Sequence, residues 1–184
     1  MKKFNDHRKD VSKAVEKQNT KIAFTIGALA ILLALNVFLA DLSAHNALEA
    51  MGDANDHWAW YQSKSIKGYI YETQAEALEL KITEGGLDVE CGQSYRETID
   101  RYEEKIATYE GEKAEISANA EAFEEENDRW NKRYIQYSMA LILAEIGILL
   151  CSAAIINKDR RFWFIAIVLG LIAIGEMLFG LLVV

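Results

Sequence analysis

Two glutamates stand where carboxylates are costly. Glu145 interrupts the apolar run Ile135–Ile156 (IQYSMALILAEIGILLCSAAII), and Glu176 interrupts Phe162–Val184 (FWFIAIVLGLIAIGEMLFGLLVV). Neither run carries another charge. An ionisable group at membrane depth is expensive. It marks either an ion or proton path or a hydrogen bond that holds helices together. Glu145 is ten residues inside Ile135 and Glu176 eight inside Val184, so on antiparallel spans their expected depths differ by about 3 Å. Two carboxylates at one level share protons, and at least one is pushed towards its neutral form. Repeated around a homo-oligomer, they would form acidic rings that select cations. Asn36, four residues from the end of a third apolar run, is a candidate polar neighbour.

Other chemistry is weakly represented. His45-x3-Glu49 and Asp53-x3-His57 each place two metal-ligand types on one helical face. A zinc site needs a third convergent ligand, and the chain offers none, so no metal and no cofactor are expected. There is no Gly-rich phosphate loop, GxSxG or HExxH string. Cys91 and Cys151 lie far apart, and Cys151 falls in an apolar run. They do not form a disulfide framework, and Cys91 would be a free thiol or an inter-chain bridge. An enzyme is not expected.

These residues are positioned by three apolar runs with charge between them. The first is Ile22–Ala40, nineteen residues without a charge, which nearly spans a ~30 Å hydrocarbon core. It exceeds a signal-peptide apolar region, so it reads as an uncleaved anchor. Residues 1–21 hold seven Lys/Arg against three acids, and the five-residue link 157–161 (NKDRR) is also basic. The positive-inside rule puts both in the cytoplasm. Segment 41–136, with 22 acids against ten Lys/Arg, and the C-terminus then lie outside. Trp163 and Phe164 follow the basic link, where an interfacial aromatic belt belongs. Gly170, Gly175 and Gly180 recur every five residues, a weak signal for close helix crossing. With no basic stripe beyond the N-terminus, nucleic acid is not an expected partner.

Between the first and second runs the chain is helical throughout. Tyr95, Ile99, Tyr102, Ile106, Tyr109, Lys113, Ile116, Ala120, Phe123, Asn127, Trp130 and Tyr134 keep a 3-4-3-4 spacing, and all but Lys113 and Asn127 are aromatic, Ile or Ala. That is a coiled-coil seam. Asp41–Ile82 shows its own three- and four-residue recurrence, rich in Ala and Gly. The glycines of Glu84–Gln93 (EGGLDVECGQ) mark a turn between the two arms. Arms of equal length around a Gly-rich tip predict an antiparallel α-hairpin. Partners would sum to about 175, placing Tyr61 near Ala114 and Lys64 near Gly111–Glu112. Small residues of the first arm would admit the rings of the second. The fold class expected is an all-α membrane protein with three transmembrane helices (22–40, 135–156, 162–184) and an extramembrane coiled-coil hairpin (41–134, tip 84–93) between the first and second.

The most distinctive string is Asp56–Tyr71, DHWAWYQSKSIKGYIY. Its plain reading is an aromatic layer within the hairpin. Lys64 and Lys67 would reach acids on the facing arm, and Gln62 and Ser65 would satisfy buried Tyr and Trp groups. Its other reading is a recognition surface, since Trp and Tyr are typical hot spots. The order Trp58, Trp60, Tyr61, Gln62, Ser63, Lys64, Ser65, with Lys67 following, resembles the signature of a bacterial membrane family, domain of unknown function 4337. The layout of one span, a charged helical middle and two further spans is similar too. The resemblance implies this architecture and a bacterial inner-membrane setting, and it implies no activity.

The function expected is a homo-oligomeric structural or interaction module of the cell envelope, with the lipid bilayer, itself and an envelope protein as partners. The first alternative is a cation or proton pathway lined by the intramembrane glutamates. The second is an envelope sensor, disfavoured by cytoplasmic parts of only 21 and about five residues.

Overall fold

The computed structural model describes residues 2–86 and 88–182, with side chains from Val15 onward. The side chains of the basic residues before Val15, and Val183 and Val184, lie outside the described residues. Three helices and no strand make up the rest: α1 (Lys2–Glu84), α2 (Val89–Asn157) and α3 (Arg160–Leu182). The chain has no proline, so nothing removes a helical N–H or forces a kink where polar and apolar sequence meet. The first apolar run and the arm that follows it are therefore one helix.

The helix ends have local causes. Gly85 and Gly86 take φ of 78° and 88°, the left-handed conformation that closes a helix and that glycine adopts without Cβ strain. Asp88 then caps α2, its Oδ1 accepting the Cys91 N–H at 2.7 Å. The break is thus 85–88, and the Glu90–Gln93 part of the expected turn is already the first turns of α2. At the other junction Lys158 takes the left-handed position (φ 54°), and Asp159 Oδ1 accepts the Arg161 N–H at 2.9 Å to start α3.

The chain divides into two compact units, one of 1–47 with 128–184 and one of 48–127. In the first unit each of the three helices contributes a segment long and apolar enough to cross a membrane, with mean hydropathy 2.5. Its core is Ile22, Leu29, Leu32, Ala140, Ala144, Cys151, Ala154, Ala166 and Ala173. From α2 and α3 the core members are small, α1 contributes Ile22, Leu29 and Leu32, and other bulky side chains face outward: Phe24 is 81% exposed and Ile156 77%. The backbones come close where glycine removes a side chain. A Cβ on Gly147 would lie 3.0 Å from Leu29 Cδ1, and one on Gly170 2.8 Å from Leu29 Cδ2. One on Gly180 would lie 2.8 Å from the Tyr137 ring.

In the second unit, small residues of α1 (Ala50, Ala54, Gly68, Ala75) are buried together with Ile99, Ile116 and Ala120 of α2. Contacts run in opposite senses along the two segments. His57 meets Phe123, Lys64 meets Glu112, and Tyr71 meets Tyr102 and Tyr109. These pairs add to between 173 and 180, close to the register expected from arm length.

Candidate functional sites

Asn36 is the polar centre of the first unit. It is fully buried. Its Nδ2 donates to the Leu32 carbonyl one turn back at 2.8 Å, and its Oδ1 is buried without a hydrogen-bond partner. A buried amide oxygen left unpaired costs about 1–3 kcal/mol. Ser43, also buried, spends its hydroxyl on the Leu39 carbonyl at 2.8 Å.

The glycine contacts fix the levels of the helices around Asn36. Gly147 lies by Ala166, and Gly180 by Tyr137, so positions of α2 and α3 that add to about 315 share a level. Leu29 meets Gly170, Thr25 Oγ1 accepts the Trp163 Nε1–H at 3.0 Å, and Gln18 accepts from Arg160. Positions of α1 and α3 about 140 apart therefore also share a level. Glu176 falls at the level of Asn36, whereas Glu145 lies about six residues deeper, ~9 Å along the axis. The two glutamates are not at one level, because the runs are offset by the way glycines seat against Leu29 and Tyr137. Glu145 is exposed and Glu176 half-buried. Neither has a partner among the described residues.

The second unit carries the Trp58–Lys67 string. Trp58 donates its Nε1–H to Glu124 Oε1 at 2.8 Å and meets the Tyr61 ring edge-on, centroids 5.6 Å apart. Lys64 pairs with Glu112 at 2.5 Å and sits over the Tyr109 ring at 5.2 Å. Lys113 answers from α2, over the Tyr61 ring at 5.4 Å and 2.6 Å from Glu110. The hydrogen bond to Glu110 raises the Lys113 pKa above its ordinary value. This is a ladder of rings and charges across two helices, and it stabilises through cation–π and charge-assisted contacts. Glu124 takes the role expected of Gln62 and Ser65. Gln62 is exposed, Trp60 is 53% exposed and meets the layer through the His57 ring, centroids 6.4 Å apart, and Lys67 has no partner among the described residues.

The weak metal candidates do not converge. His57 Nδ1 lies 2.9 Å from the Asp53 backbone carbonyl, not its carboxylate, and the His57 ring packs on Phe123. Among the described residues no group of three His, Cys, Asp or Glu could hold a metal ion, so His45, Glu49, Asp53 and His57 form no centre. Cys91 and Cys151 form no disulfide within the chain. A side-chain hydrogen bond with Cys91 raises the Tyr95 pKa. Sequence reasoning missed Gly147 and Leu29, whose contact required knowing the helix register, and Glu124, one acid among several in EAFEEEND.

Three helices of spanning length around an Asn-centred, small-residue core, joined to a two-helix unit laced by rings and ion pairs, define an all-helical chain of membrane-spanning proportions. The chain belongs to the Domain of unknown function (DUF4337) family, whose model matches residues 18–183. No curated protein and no solved structure matches it.

Proposed function

We propose that this chain is a homo-oligomeric membrane-anchored interaction module. In this reading 22–40, 135–156 and 162–184 span a bacterial inner membrane. The N-terminus and the 157–161 turn are cytoplasmic, and the 41–134 coiled-coil hairpin and the C-terminus are periplasmic. The module needs no enzymatic activity. The outward Phe, Ile and Leu side chains of the first unit support insertion, since a soluble protein rarely exposes contiguous apolar surface of that extent.

The observation that carries self-association is a second apolar stripe on α1. Leu48 and Ile66 are 69% and 62% exposed and stand eighteen residues, or five turns, apart. Met51, Tyr69, Ile70 and Leu80 fall on the same side, and all are exposed. The buried face of this helix is at Ala50, Ala54, Gly68 and Ala75, so the stripe is spare. Copies anchored in one membrane run parallel, and a two-fold interface brings Ile66 against Ile66. Ile66→Cys in a Cys91→Ser/Cys151→Ser background is expected to form an oxidative dimer in membranes, whereas Lys67→Cys, exposed but about 100° round the helix from Ile66, is not. A monomeric mass in nanodiscs with no Ile66 cross-link would sink the proposal.

A cation or proton pathway is the second reading. What favours it is the unpaired Asn36 Oδ1 at the level of half-buried Glu176. A protonated Glu176 could donate to that oxygen, and an ionised one could join it around a cation. Liposome flux that disappears in Glu176→Gln and Asn36→Val supports it. Absence of flux from the wild type at any pH removes it.

A further inference from the structure

Lys17 and Lys21 of α1 stand one turn apart and, with Arg160 of α3, line a cleft of about 280 Å³ whose remaining walls are Gln18 and Trp163. No acid lines it. Its geometry is held from two sides. Arg160 Nε donates to Gln18 Oε1 at 2.7 Å, which leaves both Nη groups of the guanidinium uncommitted to that bond. Trp163 Nε1 donates to Thr25 Oγ1 at 3.0 Å, and Thr25 donates to the Lys21 carbonyl at 3.0 Å, so the indole is fixed as a wall. Two acids adjoin these residues in sequence: Asp159 is occupied with the Arg161 N–H, and Glu16, beside Lys17, is exposed and not among the residues that line the cleft. Three cations, one of them a planar, partly free guanidinium, suit a phosphate group, which arginine can hold through two parallel hydrogen bonds.

The sequence below the cleft says what carries that phosphate. Lys17 and Lys21 continue at three- and four-residue steps into Phe24, Ala28, Ile31 and Leu35, and every one of these is exposed. The Phe164 ring lies tilted against Trp163, centroids 5.2 Å apart, and is itself 58% exposed. A pair of cations at the head of an exposed apolar lane fits a molecule with an anionic head and a long apolar tail. A free phosphate or an acidic peptide would have no use for the lane. We propose that this cleft is a binding site for the phosphate headgroup of an anionic phospholipid, whose acyl chain lies along the Phe24–Leu35 face. The proposal rests on the membrane-spanning reading above.

The test uses the full chain in nanodiscs of equal parts phosphatidylglycerol and phosphatidylcholine, with retained lipid counted by native mass spectrometry. The wild type is expected to retain phosphatidylglycerol preferentially. Each cation removed among Lys17→Gln, Lys21→Gln and Arg160→Gln lowers that preference about fivefold. Lys158→Gln with Arg161→Gln removes two charges from the neighbouring turn but none from the cleft, and is expected to leave it nearly unchanged. Equal loss in both sets would overturn the site in favour of diffuse surface charge. Equal retention of the two lipids by the wild type would also overturn it. Displacement of phosphatidylglycerol by excess inorganic phosphate would assign the cleft to free phosphate. Alkaline carbonate extraction separates the two levels of failure. A chain stripped from vesicles sinks the membrane reading itself, while one that stays but shows no headgroup preference sinks only the cleft.

Discussion

In the unit of 1–47 and 128–184 the closest approaches are made at glycines. In the unit of 48–127 they are made by rings and charges. Gly147, Gly170 and Gly180 each leave a Cβ no room beyond 3.0 Å. In the other unit Gly52, Gly68 and Gly111 would each meet nothing within 4 Å. In the membrane-spanning reading proposed above, the contrast follows from what surrounds each unit. Where lipid is the solvent, burying leucine gains little over leaving it outside, so helices gain by bringing backbones together. Where water is the solvent, an aromatic ring gains by leaving it, and its polar edge is satisfied across the interface, as Trp58 is by Glu124. The two units share α1 and α2, so the division of labour is written along each helix and not between them.

The largest expected effect comes from filling a glycine. Gly180→Leu drives a side chain into the Tyr137 ring and should cost about 3 kcal/mol. Gly175→Leu, five residues earlier where nothing lies within 4 Å, should cost almost nothing. Reversible unfolding of both variants in detergent measures the pair. Equal costs would break the claim that contact, and not helix propensity, governs this unit.

Next is Asn36→Val. It removes the buried unpaired Oδ1, and relief of that penalty should raise stability by about 1 kcal/mol. A loss of stability would instead mean that the oxygen has a donor in the membrane, with Glu176 at its level the first suspect. In the other unit, Gly68→Ala should also gain up to about 1 kcal/mol, from helix propensity alone. The two gains have different origins, and a urea series on each variant tests whether they are additive.

These predictions also mark how far residue order carries the reading. The three apolar runs, the break at Gly85–Gly86 and the pairing of Lys64 with Glu112 follow from spacing, because period and length are properties of the string itself. Continuity of α1 follows from the lack of proline. The level of Glu145 against Glu176 does not, since counting from run ends assumes flush helices, and the seating of Leu29 between Gly147 and Gly170 sets the actual offset. The partner of Trp58 was equally hidden. Glu121, Glu124, Glu125 and Glu126 are alike in sequence, and only the angle of α2 against α1 selects Glu124. The five-residue spacing of Gly170, Gly175 and Gly180 concealed that two of them pack and one does not.

A smaller effect is expected from the ion pair. Lys64 and Glu112 keep 16% and 40% of their side-chain surface exposed, so solvent screening limits them. A double-mutant cycle with Lys64→Met and Glu112→Gln should give a coupling of about 0.5–1 kcal/mol that shrinks in high salt. A coupling of zero would make the ladder decorative and leave Ala–ring packing as the cement of this unit.

The smallest effect is a pH dependence at Lys113. Its hydrogen bond with Glu110 holds its pKa above the ordinary 10.5, against the lowering effect of burial. A group whose folded pKa is raised adds stability that is fully present below the unfolded value and is lost as pH rises through the folded one. Stability at neutral pH should therefore include a few tenths of a kcal/mol from this i,i+3 pair, and it should fade only in the alkaline range, above about pH 10.5. Tyrosines and other lysines titrate in the same window. The measurement is accordingly a difference: thermal unfolding of the wild type minus that of Lys113→Met, followed from about pH 9 to pH 12. The gap should be constant at the lower end and close at the upper. A gap that persisted through the alkaline range would show that the Lys113 methylene stem over the Tyr61 ring, and not its charge, is what this unit uses. The ring-and-charge contrast with the glycine-packed unit would then reduce to packing in both.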